Sequence, residues 1–293
     1  MTAFFKYATP RHSSLFRKEE SMSIVKGKIK PALPTWPMGL CHPEKWSLEK
    51  ICQVAKQFGM EAVEVVNPED FPTLKAHGLT CALTMSHWFI KGPNNRAHWD
   101  ECMAALRKGI DANAEYGFTN VITFWGYEDT TADGGSRVSL EEGKKNLIEF
   151  YRQIAPYAAE KKVQILLEAL NTRDPADWKG HPGYQGANVD DCMEVVKAVN
   201  SPGLRLLLDI YHVQIMNGDL VRRIQEYKDY IGYVQAAGVP GRNELDESQE
   251  INFPLILRTL AENGYRGYLG LEFIPTKKDP MESIAETVSW FNA

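Results

Sequence analysis

From Ile29 onward the chain alternates short apolar runs with longer stretches whose apolar residues recur every three or four positions. The short runs cover 29–36 (IKPALPTW), 60–66 (MEAVEVV), 79–87 (LTCALTMSH), 118–125 (FTNVITFW), 163–170 (VQILLEAL), 204–212 (LRLLLDIYH), 230–238 (YIGYVQAAG) and 268–275 (YLGLEFIP). They predict eight β-strands. The stretches at 46–58, 69–76, 96–116, 140–161, 187–199, 218–227, 250–263 and 280–291 predict helices. Leu147, Ile148, Tyr151 and Ile154 show the stripe that a helix lays against a sheet. Ser139 and Glu142 have capping-box spacing, while Gly117 and Gly264 stand where helices should stop.

Eight alternating strand and helix units suit an α/β fold in which a parallel sheet closes on itself and helices cover every strand. A doubly wound open sheet is the alternative. No glycine-rich fingerprint follows an early strand, so its dinucleotide-binding form has little support. No polar linker or tandem repeat divides the chain. We therefore expect a single (β/α)8 barrel of the TIM type over 27–293, preceded by a flexible N-terminal arm over 1–26. In such a barrel, ligands collect at the carboxyl ends of the strands.

Four apolar runs break into polar groups near those ends: Glu168 in QILLEALN, Asp209 in LLLDIYH, Gln235 in YVQAAG and Glu272 in LGLEF. Alone, each reads as an ordinary salt-bridge, cap or hydrogen-bonding residue. On four successive strands they converge on one mouth. Three carboxylates sharing a low-dielectric site repel one another unless a cation intervenes. Their oxygens, with the Gln235 amide oxygen, form a hard set suited to Mg²⁺ or Mn²⁺, with Co²⁺ or Zn²⁺ compatible. The bland alternative for Gln235 is an amide completing a hydrogen-bond network.

His212 follows where the strand should open into a loop, placed to donate to a substrate oxygen or to support a neighbour. Arg242 offers a planar donor fork to a hydroxylated or anionic ligand. His87, Trp125 and Glu244 are further mouth candidates, and Trp36 and Trp88 could face a ligand or plug the barrel. Arg173, His181, Tyr184 and Gln185 lie in a Gly/Pro-punctuated loop expected to cover the substrate.

Composition narrows the partners. With 33 basic against 38 acidic residues, a net charge of -5 and no dense basic block, nucleic acid is a poor fit. Cys41, Cys52, Cys81, Cys102 and Cys192 are scattered without CxxC spacing, as in reduced core thiols, which predicts a cytoplasmic protein. No run reaches the ~20 apolar residues needed to span a bilayer, so no membrane partner is expected. The partner expected is a small hydroxycarbonyl acid or free sugar; self-association into a homo-oligomer is compatible with the sequence.

The segments ILLEALNTRD, LLLDIYHVQIMNGDL, YVQAAGVPGRNE and GYLGLEF resemble the xylose isomerase-like barrel superfamily, nearest its hydroxypyruvate isomerase and ketose 3-epimerase branch. The resemblance implies that Glu168 is both metal ligand and proton-transfer residue, that Asp209 and Gln235 are ligands, and that His212 and Arg242 face the substrate. It implies that Glu272 is the second catalytic glutamate. Wider-family epimerases often carry histidine where this chain has Gln235, which favours the isomerase branch. The isomerase pattern runs from NxRD almost directly into PGY, whereas this chain inserts ADWKGH after Pro175. The implied reaction is aldose–ketose isomerisation through an enediolate. Ketose 3-epimerisation, a metal-dependent endonuclease, and a silent sugar-binding or scaffold barrel are the alternatives.

Overall fold

A computed structural model describes residues 27–291; the expected arm at 1–26 lies outside them. Eight parallel strands close into a barrel in chain order. They are β1 (Lys30–Pro34), β2 (Ala62–Val66), β3 (Thr80–Thr84), β4 (Asn120–Phe124), β5 (Gln164–Glu168), β6 (Leu204–Asp209), β7 (Ile231–Gln235) and β8 (Tyr268–Gly270). The ring closes where Ala32 of β1 pairs with Gly270 of β8.

The principal helices are α1 (Leu48–Gln57), α2 (Phe71–Ala76), α3 (Trp99–Tyr116), α4 (Leu140–Glu160), α5 (Val189–Val199), α6 (Ile210–Met216), α7 (Leu220–Tyr227), α8 (Phe253–Glu262) and α9 (Pro280–Val288). On α4, Leu147, Tyr151 and Ile154 are fully buried, as their spacing predicts. Ser139 Oγ accepts from Glu142 N at 3.2 Å and starts this helix. Gly117 and Gly264 sit at φ of 75° and 90°, a left-handed turn that a residue with a Cβ adopts at a cost. Among the described residues no helix is long and apolar enough to cross a membrane.

Every strand is shorter than its apolar run. Past the strand ends Met85, Trp125, Ala169, Leu170, Ala236 and Leu271 stay buried, so hydrophobicity runs on beyond the regular ladder. The run LRLLLDIYH shows the largest departure. Its ladder ends at Asp209, and α6 begins at the next residue. Asp209 Oδ1 accepts from Tyr211 N at 2.8 Å, an N-cap that makes the switch abrupt. His212 is thus on a helix rather than at the opening of a loop.

Candidate active site

Glu168, Asp209 and Gln235 are the last residues of β5, β6 and β7. The register sets Asp209 beside Gln235, and Gln235 beside Gly270. Glu272 lies two residues beyond β8, and all four groups are buried. Barrel closure brings together the acids that the sequence scatters.

One guanidinium organises two of them. Arg242 Nη2 donates to Glu272 Oε2 at 2.5 Å and lies 3.6 Å from Asp209 Oδ2. Its Nε donates to Glu272 O at 3.1 Å, and its Nη1 to Trp178 O at 2.8 Å. The guanidinium carbon sits 4.6 Å from the centre of the Trp36 ring, whose Nε1 donates to Glu272 Oε1 at 2.8 Å. Glu272 is held on both oxygens, and Arg242 by all three nitrogens. Such pairing makes a buried charge tolerable.

His212 is pinned from behind. Its Nδ1 accepts the Asn171 backbone N–H at 3.1 Å. Burial, with Arg242 nearby, holds the imidazole pKa well below its usual value, so the ring is neutral. A neutral ring that accepts at Nδ1 carries its proton on Nε2. That N–H lies 3.5 Å from Asp209 Oδ2 and has no hydrogen-bond partner among the described residues, which leaves it available to an incoming oxygen.

A fourth acid, Glu64, was absent from the sequence candidates. It is fully buried in β2, and its carboxyl reaches across the interior toward β8. A Cβ built on Gly270 would lie 2.1 Å from Glu64 Oε1, so only glycine leaves it room. Gln235 Nε2 donates to Glu64 Oε2 at 3.3 Å, which turns the amide oxygen Oε1 the other way. The next residue, Val65, adopts φ 55° at a register shift between β2 and β3. This bulge places Val65 in the wall of the cleft although Glu64 already faces inward. The conformation costs a β-branched residue about 1–3 kcal/mol.

Three of these four buried carboxyls, Glu168, Asp209 and Glu272, therefore sit around one buried guanidinium, and Glu64 lies further in beside Gly270. Burial, with repulsion from Glu272, pushes Glu64 and Glu168 well above the carboxylate range. Burial lifts Asp209 to about 7 despite Arg242. Glu168 Oε1, Asp209 Oδ2 and Gln235 Oε1 have no hydrogen-bond partner among the described residues. Glu168, Asp209 and His212 present ligating atoms within 4.8 Å of one another. Unpartnered hard oxygens on carboxyls that a cation would allow to ionise fit a divalent ion.

The other sequence candidates divide. Trp36, Trp88, His181, His212 and Arg242 line one cleft together with Glu168 and Glu272. His87, Trp125 and Glu244 lie outside that lining. His87 packs behind the wall, its Nε2 2.9 Å from Thr123 Oγ1. Trp125 is fully buried and donates to Gln185 Oε1 at 2.9 Å. Glu244 accepts from Thr276 Oγ1 at 3.0 Å and from Ser283, fastening the segment before α9. Tyr184 donates to Glu168 O at 2.8 Å and anchors its loop, while Arg173 is exposed. Asn171 is a second group the sequence did not flag. It bonds the loop and His212 at once.

Residues 52–293 match the family described as "Xylose isomerase-like TIM barrel". A "2-oxo-tetronate isomerase" from Cupriavidus necator is 30% identical over 255 residues, covering 81% of this chain and 91% of that protein. A human protein named "Putative hydroxypyruvate isomerase" is 31% identical over 197 residues, 65% of this chain and 66% of its own length. The crystal structure of "AP endonuclease, family 2" from Brucella melitensis superposes with a TM-score of 0.71 at 27% identity, covering 88% of this chain and 97% of that one. Closed barrel, strand-end acids and matched length agree: this chain belongs to the xylose isomerase-like TIM barrel family.

Proposed function

We propose that the protein is a metal-assisted isomerase of an α-hydroxycarbonyl compound, working by the enediolate proton transfer of the hydroxypyruvate isomerase type. The observation that carries this reading is the set of buried acids with unpartnered oxygens around one guanidinium. Oxygens of Glu168, Asp209, Gln235 and Glu272 would hold a divalent ion, which when bound supplies Lewis-acid polarisation of a substrate's carbonyl and hydroxyl oxygens. His212 acts as a donor rather than a ligand, because Asn171 occupies its Nδ1 and the proton resides on Nε2.

One glutamate removes the proton from the hydroxyl-bearing carbon beside the carbonyl, and the other returns a proton to the former carbonyl carbon while the hydroxyl proton passes to the former carbonyl oxygen. Glu168 and Glu272 fill these roles and exchange them with direction. The His212 Nε2–H donates to the oxygen on which negative charge develops. Arg242 and Trp36 fix Glu272 so that it needs no reorientation during transfer.

The second reading, ketose 3-epimerisation, returns the proton to the opposite face of the same carbon. It is favoured by Arg242, the sole cationic side chain of the cleft lining among the described residues, whose three nitrogens already donate within the protein. A substrate carboxylate would compete for them. Incubation with Mg²⁺ or Mn²⁺ in deuterated water, using hydroxypyruvate, tartronate semialdehyde and free ketoses, tests both readings. Deuterium beside the carbonyl with a shifted carbonyl marks isomerisation; deuterium with inverted configuration marks epimerisation. Binding without exchange on any compound would point to a silent barrel.

A further inference from the structure

The segment 176–181, ADWKGH, forms a part of the mouth that the strand-end acids do not account for. It folds as a tight turn, with Lys179 N donating to Ala176 O at 3.0 Å and His181 N to Asn171 O at 2.7 Å. Gly180 lies so close to the preceding chain that a Cβ would stand 2.2 Å from Asp174 O and 2.6 Å from Asn171 Oδ1. The turn is thereby pressed onto buried Asn171.

Two consecutive carbonyls then fasten it to the site. Trp178 O accepts from Arg242 Nη1 at 2.8 Å, and Lys179 O accepts from Asn171 Nδ2 at 2.7 Å and from the Tyr211 hydroxyl at 2.8 Å. With the backbone fixed, the side chains of Trp178 and His181 join the cleft lining. The Trp178 indole stacks on Trp36 at 5.7 Å and 19°, and the His181 ring rests 4.2 Å from Phe89.

Around the acids the cleft is walled by carbon: Val65, Met85, Ile122, Phe124, Leu170 and the paired indoles. A three-carbon acid, mostly oxygen-bearing carbon, offers that wall little C–H surface. A longer carbon chain covers it with C–H groups while His181 remains for one hydroxyl, the division of labour of a small-molecule site.

We propose that segment 176–181 is the specificity element of this site. Its Trp178–Trp36 wall and His181 select an α-hydroxycarbonyl substrate whose chain runs past the reacting carbons, over a three-carbon acid that ends there. The proposal rests on the isomerase or epimerase reading and narrows its substrate class.

The test measures deuterium exchange by the Mn²⁺-reconstituted full chain and its Trp178→Ala, Trp178→Phe and His181→Ala variants. The compounds are hydroxypyruvate, a four-carbon 2-oxo acid, a pentulose and a hexulose. The wild type should favour the five- and six-carbon ketoses over hydroxypyruvate by at least about 10-fold in kcat/KM, and Trp178→Ala should lower that ratio about 10-fold, mainly through KM. His181→Ala should lower it less, and Trp178→Phe should recover most of it. A wild type that prefers hydroxypyruvate, or a ratio unmoved by Trp178→Ala, overturns the proposal. Calorimetric binding of the same compounds separates this from the reaction. Chain-length-dependent binding that Trp178→Ala abolishes, with no exchange in any protein, supports the wall and overturns the isomerase reading. Binding indifferent to chain length overturns the wall whatever the exchange shows.

Discussion

The two halves of the barrel are built from the same repeating unit but end differently. Strands β1 to β4 finish on Pro34, Val66, Thr84 and Phe124, whereas β5 to β7 finish on Glu168, Asp209 and Gln235, with Glu272 just past β8. The first half supplies shape through Val65, Met85, Ile122 and Phe124; the second supplies the titratable oxygens. Eight equivalent positions need not share one task, because closure lets four neighbouring strands hold the chemistry while the four opposite wall it in.

The sharpest way to break this comparison is at the proposed proton-transfer pair. Glu168→Gln and Glu272→Gln should each lower deuterium exchange by roughly 10²–10⁴-fold. Full exchange in both would remove the chemical half altogether.

Next comes metal affinity. Asp209→Ala should weaken Mn²⁺ binding by at least about 10–100-fold in a calorimetric titration. The same acids predict a pH dependence. Burial raises Glu64, Glu168 and Asp209, so the folded metal-free protein holds protons that the unfolded chain releases. Their contribution is fully present below the unfolded carboxylate range near pH 4 and is lost as pH rises, for Asp209 through about 7. Thermal unfolding without metal should therefore fall over that window, and added Mn²⁺ should raise Tm more at pH 8 than at pH 5.

Glu64 is the exception inside the shape-giving half, and Gly270 tests it from the other side. Gly270→Ala forces a Cβ into the Glu64 carboxyl and should cost about 1–3 kcal/mol, read by denaturant unfolding. The smallest effect belongs to the wall. Phe124→Leu should raise KM about 2–5-fold with a smaller change in kcat, as loss of uniform binding does. A larger loss in kcat would mean that the first half takes part in the chemistry.

The sequence exposed the chemical half because an acid ending an apolar run violates the pattern that buries the run. It exposed the barrel for a related reason: strands covered on both faces read as uninterrupted hydrophobicity. Glu64 escaped because MEAVEVV resembles ordinary alternation, in which a lone acid faces outward; the bulge at Val65 is invisible in residue types. The helix α6 escaped because Ile210 and Tyr211 are good strand formers, and only the Asp209 cap overrules them. His87, Trp125 and Glu244 follow or flank strand ends, but loops choose their own side-chain directions. Asn171 carries no local signal; its role exists only once residues 179 and 212 are folded around it.

The cap at Asp209 has a practical side for protein engineering. One oxygen of that carboxylate is committed to Tyr211 N and the other is left free, so the residue's aim is set by three consecutive positions of its own chain. Residues 209–211 thus carry the aim of Asp209 within their own chain, whereas His212, one position on, takes its setting from Asn171. Glu272, steered by Trp36 and Arg242, would arrive in a new host without its guides.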